Sequence, residues 1–147
     1  MTIEEMYKQV IQAHSNSKRN KRHLAHPTVV QPGVNPSCGD EIVLELETTS
    51  DGLIKDISFT GNGCAISQAS TSIMADLVRG KKIAEAERLD ALFMQMIREG
   101  AEDEQVVAQL QEAGVFSTVS HMPARVKCAV LGWHTLTEAL KQVGKTT

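Results

Sequence analysis

Long apolar runs are missing from this sequence, and so is any excess of basic charge. No stretch approaches the ~20 apolar residues that a membrane-spanning helix needs, so no membrane partner is expected. The opening residues, MTIEEMYKQV, lack the basic segment and apolar run of a secretory signal. Net charge is −3, which disfavours a nucleic-acid binder, since that role needs a strong basic field. Aromatic residues are scarce: Tyr7, Phe59, Phe93, Phe116 and Trp133. The core must therefore rest on Ile, Leu, Val, Met and Ala. Cysteine is limited to Cys38, Cys64 and Cys128, with no Cys-x-x-Cys pair. Three thiols cannot all pair within one chain, so a disulfide scaffold is excluded. Without a secretory signal, the reducing cytoplasm is the expected compartment.

What is present suits one globular domain spanning residues 1–147. Hydrophobic residues make up 41% and charged residues 22%, both ordinary for a packed fold. Thr2 and Glu5 form a capping box ahead of Ile3, Met6, Tyr7, Val10 and Ile11 at helical spacing. The run 18–22 carries Lys18, Arg19, Lys21 and Arg22. It reads as a solvated loop or a dock for an acidic partner. Residues 24–36 hold Pro27, Pro32, Gly33 and Pro36 and read mainly as loop, with Thr28–Val30 as a short edge strand. Residues 41–49 and 53–60 flank Ser50-Asp51-Gly52 and read as an antiparallel hairpin. Helical stripes follow over 64–79 and 83–98, and Pro123 opens a last helix. The acidic stretch 99–114 reads as a solvated face or loop. The expected fold is α+β: a small antiparallel sheet of about three strands against a layer of helices.

Each cysteine has a special local setting. Cys38 lies in Asn35-Pro36-Ser37-Cys38-Gly39-Asp40, where alternation in an extended segment points Cys38 and Asp40 the same way. Cys64 follows Gly61-Asn62-Gly63 and opens a helix, whose N-terminus favours a thiolate. Cys128 lies in the second turn after Pro123, on the helix face of Arg125. Three thiolates and one carboxylate make a four-ligand set that tetrahedral zinc accepts, and thiolates also suit iron–sulfur chemistry. Such a set around Zn2+ leaves roughly −2 of charge. Arg125 is the best-placed group to compensate it; Lys127 is turned away from Cys128 by one helical step. The plainer alternative is that free cysteines serve as small buried apolar residues. His14, His23, His26, His121 and His134 are further possible ligands, and His121 is the alternative fourth one.

The segments 35–40, Gly61-Asn62-Gly63-Cys64-Ala65-Ile66-Ser67 and Pro123-Ala124-Arg125-Val126-Lys127-Cys128 resemble the U-type iron–sulfur cluster assembly proteins, the IscU/NifU-like family. The resemblance runs from the first helix to the last. The IscU scaffold branch carries histidine before the third cysteine and a Leu-Pro-Pro-Val-Lys chaperone motif. This chain has Lys127 and Met122-Pro123-Ala124-Arg125-Val126 instead, with a longer stretch between the second and third cysteines. These departures resemble the SufU branch. That branch implies a zinc-bound sulfurtransferase taking sulfur from a cysteine desulfurase of the SufS type. It implies Cys38, Asp40, Cys64 and Cys128 as zinc ligands and Cys38 as sulfur acceptor. In its mechanism a desulfurase histidine displaces Cys38 from zinc. Downstream Suf assembly proteins would be further partners. The rival readings are a scaffold carrying a transient [2Fe–2S] cluster on the same cysteines, and a structural zinc adaptor without sulfur chemistry. A sulfur carrier is covalently modified in each cycle, so the residues leave open whether it counts as an enzyme.

Overall fold

A computed structural model describes residues 2–100 and 103–146. The chain runs α1 (Ile3–Asn16), β1 (Val29–Asn35), β2 (Asp40–Thr48), β3 (Ile54–Asn62), α2 (Ala65–Val78), α3 (Ile83–Glu99), α4 (Glu104–Gln109), a 3₁₀ helix (Gln111–Val119) and α5 (Pro123–Thr146). The three strands form one antiparallel sheet in the order β1-β2-β3. Helices α2 and α5 pack on it, so the expected α+β arrangement is observed. No helix among the described residues is long and apolar enough to cross a membrane.

Local signals account for most elements. The Thr2 hydroxyl accepts from the Glu5 amide and Glu5 reaches back to Thr2 N, as the capping box requires. On β2, the even positions Ile42, Leu44 and Leu46 are buried and meet Ile57 and Phe59 of β3 in the core. A register shift at Glu47/Thr48 turns Ile54 to the buried side as well, where strict alternation had placed it opposite Ile57.

The edge strand is longer than the sequence suggests. Residues 31–35, read as loop, pair with β2 from Val29↔Leu46 through Asn35↔Asp40. Pro32 fits because β1 is an edge and needs no second partner. The basic run is largely paired, although Lys18 and Arg19 remain exposed. Arg22 forks onto both oxygens of Asp56 at 3.0 and 2.9 Å, Arg19 pairs with Asp76, and Lys21 Nζ donates to the Ser15 carbonyl. Asn20 donates its side-chain amide to Asp76, and its carbonyl accepts from Phe59 N at 2.9 Å, so this segment covers the open edge of β3. The paired guanidinium holds Asp56 well below the usual carboxylate range, at about 2. His23, expected in a loose loop, sits 2.7 Å from the buried Glu45.

The acidic stretch is likewise structured. Its described part forms α4 and the start of the 3₁₀ helix; residues 101 and 102 lie outside the described residues. Val106, Leu110 and Ala113 enter the core from it, and Val115 and Phe116 follow just beyond it. Four of the five aromatics then form one cluster. Phe93 stacks on Trp133 at 4.2 Å, and Phe116 meets Phe93 and Tyr7 edge-on.

Helix α2 is buried almost all round, and its small residues let α5 approach closely. A Cβ on Gly132 of α5 would lie 2.5 Å from Thr71 Oγ1 and 3.0 Å from Thr71 Cβ. Gly132→Ala is therefore expected to cost about 1–3 kcal/mol through overpacking. Urea titration measures it; an unchanged midpoint would show that α5 can shift freely.

Asp90 of α3 is buried at 6% exposure, and its Oδ2 meets Thr137 Oγ1 at 2.5 Å. Burial raises its pKa from 3.8 to about 6, against the lowering effect of the Thr137 contact. The folded state thus binds this proton more tightly than the unfolded chain. Its stabilising contribution is complete below pH about 4 and is lost as pH rises through about 6. Asp90→Asn keeps the shape without the charge. It is expected to raise stability at pH about 8 by on the order of 2 kcal/mol and to flatten the pH dependence between about 4 and 6. Denaturant melts of both proteins across that range test this directly.

Candidate metal centre

Three chain segments converge at one end of the sheet. The first is the β1–β2 turn, Pro36-Ser37-Cys38-Gly39. Cys38 N donates to the Asn35 carbonyl at 3.3 Å, and Gly39 takes φ +70°, which L side chains rarely adopt. Asp40 follows as the first residue of β2, paired with Asn35 across the turn. The second is the end of β3. Gly61 lies so close to β2 that a Cβ there would sit 2.1 Å from the Glu41 carbonyl oxygen. Cys64 then becomes the N-cap of α2, its sulfur accepting from Ser67 N at 3.5 Å. The third is the second turn of α5, which carries Cys128.

Asp40 is 1% exposed. Its Oδ1 accepts from the Cys64 amide at 2.9 Å, and its Oδ2 lies 3.9 Å from Cys64 Sγ. Cys38 and Cys128 bring their sulfurs to 3.2 Å. One ligand atom each from Cys38, Asp40 and Cys128 all lie within 4.8 Å of one another. Cys64 adjoins this trio through Asp40 but is not part of that tightest group. Cys38 and Cys64 are exposed, whereas Cys128 is buried.

The donor set suits a soft or borderline divalent cation. Tetrahedral Zn–S bonds of about 2.3 Å place neighbouring donors about 3.8 Å apart, close to the spacings seen here. Burial pushes the Cys128 thiol up, and the neighbouring Cys38, Cys64 and Asp40 push it further the same way. A bound cation supplies the positive charge that would hold such thiols as thiolates.

The surrounding charges differ from the sequence-based expectation. Arg125 is exposed, and among the described residues it makes no hydrogen bond or ion pair with the cluster. Its charge acts instead on Tyr7, whose hydroxyl burial pushes up. Lys127, expected to turn away from Cys128, forms no hydrogen bond with it but reaches Ser37 Oγ, next to Cys38 in sequence, at 3.4 Å. Asn35 is a group the sequence did not single out. It is buried, and its amide donates toward Cys128 Sγ at 3.9 Å. Its position immediately before Pro36 in the first cysteine segment is the one signal that could have marked it. The histidines stand elsewhere. His14 is buried against Ser72 Oγ, His23 meets Glu45, and His26 and His134 are exposed. The exposed His121 has its Nε2 against Gly100, outside the clustered donors.

Residues 6–146 match the family described as the NifU-like N terminal domain. The chain belongs to that family. A Thermotoga maritima protein named iron-sulfur cluster assembly scaffold protein IscU is 40% identical over 145 residues, covering 99% of each chain. The zinc-dependent sulfurtransferase SufU of Bacillus subtilis is 37% identical over 134 residues, 91% of this chain and 88% of the relative. The crystal structure of an iron-sulfur cluster assembly scaffold protein for the SUF system, from Fervidobacterium islandicum, superposes with a TM-score of 0.83. It is 36% identical, with 92% of this chain and 97% of that chain covered. The protein is thus an iron–sulfur cluster assembly protein of the IscU/SufU family. Its relatives carry both branch names.

Asn35 leads to a test of the centre. Ligand neighbours typically contribute 10–100-fold to metal affinity. Asn35→Ala is expected to weaken Zn2+ binding by about tenfold, while Cys128→Ser abolishes tight binding. Chelator competition measures both. An Asn35→Ala affinity equal to that of the parent would remove Asn35 from the site.

Proposed function

We propose that this protein is a zinc-dependent sulfurtransferase, taking sulfur from a cysteine desulfurase for iron–sulfur cluster biogenesis. One observation carries the reading: the grouped thiols are held unequally. Cys38 stands exposed at the tip of a four-residue turn, while Cys128 is buried in α5 and Cys64 caps α2. Cys38, Asp40, Cys64 and Cys128 would hold the metal. When bound, Zn2+ keeps thiols deprotonated at neutral pH.

The transfer itself falls to Cys38. Its thiolate attacks the outer sulfur of a persulfide on the desulfurase cysteine. A Cys38 Sγ–S bond forms, the donor's S–S bond breaks, and the donor cysteine leaves as thiolate, as in thiol–disulfide exchange. The turn gives Cys38 room to reach a docked partner. Lys127 donates to Ser37, the residue before Cys38, and puts a cation beside the reacting sulfur. Arg125, exposed one turn before Cys128, is assigned to partner-side charge compensation at the same face. The partner would be of the SufS type, acting with other Suf assembly proteins in the cytoplasm.

Two features support this over a scaffold reading: Lys127 in the position where the scaffold branch has histidine, and the 37% identity to a relative named for zinc-dependent sulfur transfer. The name of the Thermotoga maritima relative favours the second reading, in which the same cysteines receive a [2Fe–2S] cluster as cargo. The two part on Cys38→Ala. That variant is expected to retain its fold, acquire no persulfide mass and give no stimulation of desulfurase turnover. Full stimulation by Cys38→Ala would reject the acceptor role. Quantitative cluster delivery to an apo-ferredoxin, without zinc-dependent stimulation, would establish the scaffold reading.

A further inference from the structure

Helix α2 carries a buried polar group that its own packing leaves unused. Gln68 lies four residues beyond Cys64, so both project from one face of the helix. Its backbone amide donates to the Cys64 carbonyl at 3.1 Å. The side chain is only 6% exposed, and its Nε2 has no hydrogen-bond partner. The neighbouring hydroxyls of α2 are satisfied. Ser67 Oγ donates to the Cys64 carbonyl, Ser70 Oγ to the Ala129 carbonyl and Thr71 Oγ1 to the Ser67 carbonyl. An unpaired buried amide costs stability. An apolar side chain of the same volume would fill the place without that cost, so packing alone does not account for a glutamine there.

The position of Gly63 shows what this amide faces. A Cβ on Gly63 would lie 3.0 Å from Asp40 Oδ1 and 3.2 Å from Gln68 Nε2. The buried carboxylate and the buried amide therefore border the same small space, kept open because residue 63 has no side chain. Ser67 Oγ borders it too, its proton held by the Cys64 carbonyl. The carboxylate also fixes which way the amide is turned. An acceptor oxygen stands at the space, so the NH2 end belongs there; the opposite orientation would set two acceptors against each other. Asp40 Oδ1 already accepts from the Cys64 amide at 2.9 Å. A carboxylate oxygen takes two such bonds, so Oδ1 has room for a second donor. Oδ2 lies on the side of Cys64 Sγ, 3.9 Å away.

We propose that Gln68 is a positioning residue of the metal centre, its Nε2 donating to Asp40 Oδ1 when Asp40 ligates through Oδ2. The bond forms by rotation of the Gln68 side chain into the space beside Gly63. Two donors, the Cys64 amide and the Gln68 amide, then hold the oxygen that does not ligate, and Oδ2 stays aimed at the cation. Carboxylate ligands are commonly oriented by hydrogen-bond partners of this kind. The inference rests on the reading of Cys38, Asp40, Cys64 and Cys128 as a metal site and is independent of sulfur transfer.

Gln68→Met keeps the length and volume of the side chain and removes the donor. The full chain and this variant are compared in chelator competition for Zn2+ and, zinc-free, in urea. The variant's Zn2+ affinity is expected to fall about tenfold, while its zinc-free form is no less stable, having lost an unpaired buried amide. A residue that only fills space would leave the affinity unchanged. The parent chain supplies a second readout, which decides the matter even if Gln68→Met fails to fold. Amide NMR follows the Gln68 side-chain NH2 with and without Zn2+. One of its protons is expected to move downfield and to exchange more slowly with water when zinc is bound. A Gln68→Met affinity equal to that of the parent, or a Gln68 NH2 whose exchange zinc leaves unchanged, would overturn the proposal. A parent chain that holds no zinc would overturn the metal reading, and this proposal with it.

Discussion

The arrangement of the clustered thiols hangs on one buried carboxylate. Asp40 is the first residue of β2 and accepts the amide of Cys64, the residue that caps α2. That single bond joins the β1–β2 hairpin to the start of the central helix. It also leaves Asp40 with acceptor capacity in a buried place, which is costly unless donors or a cation complete it. The sheet fixes where this carboxylate stands. Asn35↔Asp40 on one side and Glu41↔Asn62 on the other bracket it within the register. A slip of one residue would turn Asp40 to the opposite face and separate it from Cys64.

The third segment arrives by close packing, seconded by side-chain hydrogen bonds. Helix α5 is brought near by the absence of side chains at two points. Gly132 lets Thr71 of α2 lie against it, and Gly33 of β1 leaves space that Thr135 occupies, since a Cβ there would fall 2.0 Å from Thr135 Oγ1. These two contacts hold α5 against the sheet and the central helix together. Trp133 fixes the same region, stacking on Phe93 while its Nε1 donates to Ser70 Oγ, which in turn donates to the Ala129 carbonyl. Ala129 follows Cys128, so the position of the buried thiol is set by core packing next door. Core residues resist displacement because interiors are close-packed. Cys128 is accordingly the anchored member of the group.

Much of this was legible from the sequence. The capping box, the β2–β3 hairpin and the starts of α2 and α5 are announced by residues a few positions apart. The candidate donors stood out because Cys38 and Asp40 share one Pro- and Gly-containing segment, Cys64 follows Gly61-Asn62-Gly63, and Cys128 follows Pro123. What the sequence concealed depends on partners far along the chain. Pro32 and Gly33 read as loop until β2 lies beside them. The pairing of Arg19 and Arg22 is invisible until Asp76 and Asp56 are brought across. The acidic stretch reads as surface because its charges outweigh the buried Val106, Leu110 and Ala113 in any local average. Lys127 and Arg125 were ranked by their places on one helix, and that ranking overlooks Ser37, ninety residues away in sequence.

The same contrast between local and distant partners separates the three thiols, although their chemistry is identical. Cys64 is held by the cap of α2 and Cys128 by the core. Cys38 is held by a turn whose one internal bond, from Cys38 N to the Asn35 carbonyl, is 3.3 Å long. A thiol on a helix or its cap can shift only by rotating its own side chain, whereas one on a turn can also be carried by local backbone rotation. On the sulfur-acceptor reading this difference in anchoring, more than any difference in acidity, selects which thiol reacts. On that reading Asp40, Cys64 and Cys128 would hold the metal, and Cys38 would be the thiol free to reach a partner. A centre built from three equally rigid thiols would suit a permanent structural metal better, because none of its ligands could be released without disturbing the fold.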